Sequence, residues 1–147
     1  DNYPDSLEIP LKGKASRAYL LMAGSTNHMQ CHIDNGVIRV YYKDGTCDVM
    51  FLRNPDNWPP IEHIFFEDGL AFNRHTPALY RLRLKTGEIS NNFGEELGFP
   101  GASRELDGGA AVLLEMPLNP GKKLSHLVLE TLSNDVVIGL MSITLQR

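Results

Sequence analysis

Apolar and polar residues alternate with a period of two in short runs, and turn-forming residues separate the runs. This is the pattern of half-buried β-strands. Leu7–Leu11 (LEIPL) alternates in this way, with Pro10 placing it at a sheet edge or a strand entry. Arg17–Ala23 (RAYLLMA) is a mostly apolar run that fits a buried strand. HMQCHI from His28, VIRVYY from Val37 and TCDVMFL from Thr46 follow in quick succession. Asp34-Asn35-Gly36 and Asp44-Gly45 separate them, and these residue types tolerate the backbone angles of a reversal. The three runs predict an antiparallel meander.

Farther along, NPDNWPP (Asn54–Pro60) reads as a loop, and IEHIFF from Ile61 as a strand or a short helical turn. LYRLRL (Leu79–Leu84) alternates and is turned by Lys85-Thr86-Gly87. The glycine-rich stretch from Asn91 to Gly109 reads as a long connection, the kind of segment that carries function. AAVLLEM and HLVLETL flank NPGKK, and VVIGLMSITL closes the chain with Gly139 at a bulge or close approach. The total is about nine or ten antiparallel strands and no helix longer than a turn or two. That spacing predicts an all-β chain, a β-sandwich or jelly roll, rather than an α/β fold.

A register follows from the meander. Pairing Ile33 with Ile38 across an Asp34–Val37 loop puts Met29, Cys31 and Ile33 on one face with Ile38, Val40 and Tyr42. A tight two-residue turn at Asp44-Gly45 adds Cys47, Val49 and Phe51 to that face. A tighter turn at Asn35-Gly36 would bury His28, Gln30 and His32 instead. In the preferred register the chain's two cysteines, Cys31 and Cys47, lie two strands apart. Their Cα separation is then roughly 11 Å, beyond the ~7 Å limit for a disulfide. The expectation is two free, buried thiols acting as small hydrophobes.

Composition narrows the function classes. At 147 residues the chain is one domain, spanning residues 1–147, long enough to bury a core without disulfide or metal. Eighteen acidic against 14 basic side chains, with no basic block, argue against nucleic acid and against an anionic membrane surface as partners. The apolar runs fall far short of the ~20 residues of a membrane span. The chain begins at Asp1 without a signal-like segment and ends directly after an apolar run, as expected of a domain excised from a longer polypeptide.

Candidate chemistry is sparse. The outward face of the meander would carry His28, Gln30, His32, Arg39, Tyr41 and Asp48. A tyrosine ring can stack on a pyranose while the polar groups bind hydroxyls, and the competing reading is a solvated or docking face. His28 and His32 would stand ~13 Å apart on a strand, too far to share a metal ion. Glu95 with Glu96, and Glu62 with Glu67, are chance carboxylate pairs rather than a glycosidase dyad. Nucleophile-elbow and phosphate-loop motifs are absent. Asp34, Asn35, Asp44, Asp56 and Asn57 fit no calcium loop, and turn chemistry explains them. Trp58, beside Asn57 in the proline-rich loop, is either a sugar platform or a hydrophobic plug closing one end of a sandwich.

YLLMAGSTN (Tyr19–Asn27), VIRVYYKDGTCDVMFLRNPDNW (Val37–Trp58) and LSHLVLETLSNDVVIGLMSITL (Leu124–Leu145) together resemble a galactose-binding-like β-sandwich. Such domains accompany secreted bacterial carbohydrate-active proteins. The order is also similar to a family of unknown function found at the C-terminal side of large glycosidase-like proteins. The best-marked positions are Tyr42, Asp44, Gly45, Thr46, Asn54 and Trp58. The resemblance implies a non-catalytic accessory module that is secreted, periplasmic or at the cell surface. It would pack on a catalytic domain of the parent polypeptide, bind glycan weakly, or do both, without cofactor or metal. The candidate ligand-binding residues are Trp58, Asn57, Tyr41, Arg39, His28 and His32. The alternatives are a small jelly-roll or cupin-like enzyme and a purely structural docking domain.

Overall fold

The computed structural model describes residues 4–25, 32–54, 56–59, 61, 63–64, 79–91, 93, 104–105, 107–133 and 136–147. Its strands in chain order are β1 (Ser6–Pro10), β2 (Arg17–Ser25), β3 (Asp34–Tyr42), β4 (Cys47–Arg53), β5 (His63–Ile64) and β6 (Arg81–Arg83). They continue with β7 (Ile89–Ser90), β8 (Arg104–Glu105), β9 (Ala110–Pro117), β10 (Leu124–Thr131) and β11 (Val137–Gln146). Nine of them form two antiparallel sheets, ordered β1-β10-β3-β4 and β11-β2-β9-β6-β7, and β5 pairs with β8 as a separate ribbon. The chain is all-β, and the two sheets make a β-sandwich.

Alternation along each strand decides what the sandwich buries. Ala18, Leu20 and Met22 of β2 and Val112, Leu114 and Met116 of β9 line the inner face of the five-stranded sheet. Ile38, Val40 and Tyr42 of β3, Leu52 of β4 and Leu124, Leu127 and Leu129 of β10 face them from the four-stranded sheet. RAYLLMA is therefore a half-buried strand: every second residue of its apolar run is buried and the others are partly open. Pro10 ends the edge strand β1, where its missing N–H costs no ladder bond.

The meander is corrected at both of its turns. His28–Cys31 lie outside the described residues, but His32 and Ile33 form a turn rather than a strand. His32 has φ 57° and Ile33 is exposed. Asp34-Asn35-Gly36, expected as a reversal, opens β3 with a bulge. Both sides of β3 are taken, by β10 and β4, so among the described residues no strand preceding it lies beside it. Gly36 answers a different need from a turn. A Cβ there would run into Ile138 Cδ1 and come within 3.1 Å of Glu130 O, so glycine permits close packing under β11.

The second turn is one residue longer than expected. Gly45 N donates to Tyr42 O (3.0 Å) and Tyr42 N to Thr46 O (2.9 Å), with Gly45 at φ +87°. This is a type I turn followed by a left-handed glycine. Asp44 Oδ1 accepts from the Thr46 amide (2.9 Å) and hydroxyl (2.6 Å), which favours that geometry. These bonds and Lys122 hold the Asp44 carboxyl down to about 2. Tyr41 consequently opposes Cys47, and Arg39 opposes Val49. The one-residue slip turns Cys47, Val49 and Phe51 outward and Asp48, Met50 and Leu52 inward.

Cys47 is free, as expected, but exposed rather than buried, and Cys31 lies outside the described residues. In a Cys31→Ser background, the Cys47 thiol of the native protein should react with a maleimide at a rate close to that of the denatured chain. Strong protection in the native state would contradict this register.

Candidate functional site

The outer face of the four-stranded sheet collects the polar and aromatic groups. Cross-strand pairing builds it in rows. Pro10, His126, Tyr41 and Cys47 form one row, and Glu8, Val128, Arg39 and Val49 the next. Ser6, Glu130, Val37 and Phe51 follow. Tyr41 and His126 stack with ring centroids 4.7 Å apart and planes 13° apart. His126 Nδ1 lies 2.9 Å from the Ser125 hydroxyl, and its Nε2 lies 3.9 Å from Glu8 Oε1. On the other side of Tyr41 the cross-strand neighbour is the small Cys47, and Tyr41 itself is half-buried. Arg39 Nη1 donates to Glu130 Oε2 at 2.8 Å, and this bond raises the guanidinium pKa above its ordinary value. Val49 and Phe51, each nearly half exposed, border the group on β4.

Of the candidates read from the sequence, Arg39 and Tyr41 stand on this face. His32 sits in the turn before β3, with its amide donating to Asn54 O at 2.7 Å. His28 and Gln30 lie outside the described residues, as do Glu62, Glu67, Glu95 and Glu96. Asp48 points inward and accepts a hydrogen bond from the Tyr42 hydroxyl. That hydroxyl also accepts from Asn119 N (2.8 Å). Burial, with the Asp48 carboxylate beside it, pushes the Tyr42 pKa up to about 12.

Trp58 is the plug and not a platform. Its exposure is 0%, within the core formed by both sheets, so it offers no face to a ligand. Asn57 shapes the loop that delivers it. Its Oδ1 accepts from Arg53 N (2.7 Å) and its Nδ2 donates to Phe51 O (2.8 Å). Two other acids read from the sequence are similarly engaged: Asp34, at the start of β3, accepts from Arg53 (2.8 Å), and Asp44, in the turn, from Thr46. Among the described residues no three His, Cys, Asp or Glu converge as a metal site.

Sequence reasoning missed His126, Glu130 and Glu8. Their alternation with Leu127 and Leu129 marks one outward face, but nothing local says that β10 inserts between β1 and β3. It also missed Arg81. That residue lies on the inner face opposite Val112, with Nη2 donating to Ala110 O (3.0 Å), while Leu82 faces out. Burial lowers the pKa of this guanidinium.

No protein-family model, no curated protein and no solved structure matches this chain.

Proposed function

We propose that this chain is a non-catalytic accessory module that binds carbohydrate weakly through the outer face of its four-stranded sheet. The observation that carries the reading is the row formed by His126, Tyr41 and Cys47. Tyr41 is braced on one side by the stacked imidazole and has a small neighbour on the other, so a ligand would meet an apolar ring whose orientation is already set. Such a ring suits the C–H side of a pyranose. The Arg39–Glu130 pair next to it supplies donors and acceptors for sugar hydroxyls without ordering new side chains. A shallow sheet face encloses little of a ligand, which fits weak binding. On this reading the parent polypeptide is a carbohydrate-active protein, secreted, periplasmic or at the cell surface. That context rests on the galactose-binding-like resemblance of the three quoted segments.

A second reading is docking through the other sheet, against the catalytic domain of the same polypeptide. Tyr80, Ile89 and Leu113 are exposed there, and the pairing of β6 with β7 and β9 puts Leu82 and Ile89 on the same outer face.

Affinity electrophoresis through a panel of polysaccharide gels separates the two. Retardation of the wild type by at least one polysaccharide should be abolished in Tyr41→Ala, with the far-UV circular dichroism unchanged. No retardation by any polysaccharide, or retardation that survives Tyr41→Ala, would remove the glycan-binding reading and leave docking.

A further inference from the structure

Three of the four outer edges of the two sheets are blunted in the usual ways. β1 carries Glu8 and Pro10, β4 carries Asp48 and Arg53, and β7 is only two residues long. The fourth edge, β11, is ten residues long and contains neither a charged residue nor a proline. Among the described residues it pairs with β2 alone. A long uncharged edge is a template for another strand, and proteins that stay apart protect such edges.

The side chains tell the same story. Leu20 and Met22 of β2 are fully buried. Their neighbours on β11, Ile138, Leu140, Ile143 and Leu145, lie against the same core but are only partly buried. One more antiparallel strand beyond β11 would cover them.

We propose that this strand is β11 of a second copy, so that two sandwiches join through one continuous sheet about a two-fold axis. The bulge between Leu140 and Ser142 makes the self-pairing work. Without it, a ten-residue strand laid antiparallel on itself over its full length would set inward side chains against outward ones. With it, Ile138 falls opposite the copy's Leu145, and Leu140 opposite the copy's Ile143, all facing the core side. Val137, Gly139 and Met141 oppose Gln146, Thr144 and Ser142 on the outer side. The interface is the same patch on both partners, as a two-fold requires. It also brings no like charges together in a chain whose net charge is -4.

Sedimentation equilibrium of the 147-residue chain, over about 1–300 µM, tests the proposal by mass action. The apparent mass should rise with concentration toward twice 16.4 kDa. Ser142→Lys with Thr144→Lys, two exposed outward positions, would set four added charges across the two-fold. That variant should keep its β-sheet circular dichroism and sediment at the chain mass throughout. If the double variant does not fold, Met141→Lys at the exposed bulge carries the same expectation. A wild type that stays at the chain mass at the highest concentration would overturn the proposal. So would lysine variants that associate as the wild type does.

Discussion

Trp58→Ala is expected to destabilise the chain by about 3–5 kcal/mol, the range for deleting a large aromatic from a packed core. The indole is fully buried between the sheets, where the loop after β4 closes one end of the sandwich. Its Nε1 has no hydrogen-bond partner among the described residues, so the loss is one of packing and not of a polar contact. The loop geometry leaves little room for collapse. Asn57 clamps the turn to Arg53 and Phe51, and Trp58 N donates to Arg53 O (3.3 Å). A residual cavity is the expected outcome, and it adds to the lost transfer energy. Urea denaturation followed by circular dichroism measures the change as a shift in midpoint. A shift near zero would mean that the indole is not in the core.

Gly24→Ala carries the second large effect, of about 1–3 kcal/mol or more from overpacking. A Cβ at Gly24 would lie well inside contact distance of the Val137 carbonyl oxygen. It would also come within 2.7 and 2.9 Å of the Trp58 ring carbons Cζ2 and Cη2. The carbonyl belongs to a strand paired with β2, and the ring to the core, so neither is a flexible chain end that moves cheaply. Because the two residues touch, their effects should not add. The double variant Gly24→Ala/Trp58→Ala is expected to be more stable than the sum of the single losses implies, by about 0.5–3 kcal/mol. Additivity in the same urea titrations would place the two residues apart. Neither position borders the Tyr41 face, so these variants probe the sandwich and not its ligand.

These two sites also show what the sequence could and could not convey. The strands were legible because burial of one sheet face writes a period of two, and because Pro10, Asp44-Gly45 and Lys85-Thr86-Gly87 punctuate it. The faces were less legible. Asp44-Gly45 marks a turn but does not say whether two or three residues make it, and the longer version moved Cys47 and Phe51 to solvent. Gly36 and Gly24 illustrate a second ambiguity. A glycine required by a neighbour's approach looks the same in sequence as one required by a reversal, and the approaching groups, Ile138 and Trp58, are far along the chain. Sheet order was not legible at all. The Tyr41–His126 stack joins residues that no local rule connects, and it exists because β10 crosses over to lie beside β3. Alternation even misleads at β6, where the arginine faces the interior and the leucine does not.

The most direct test of the carbohydrate face is chemical-shift mapping of the isotope-labelled chain during titration with oligosaccharides derived from any retarding polysaccharide. Shifts confined to Arg39, Tyr41, Cys47, Val49, His126 and Glu130, saturating together with one weak dissociation constant, are the predicted result. Shifts centred on the outer face of the five-stranded sheet, or no shifts at saturating sugar, would contradict it.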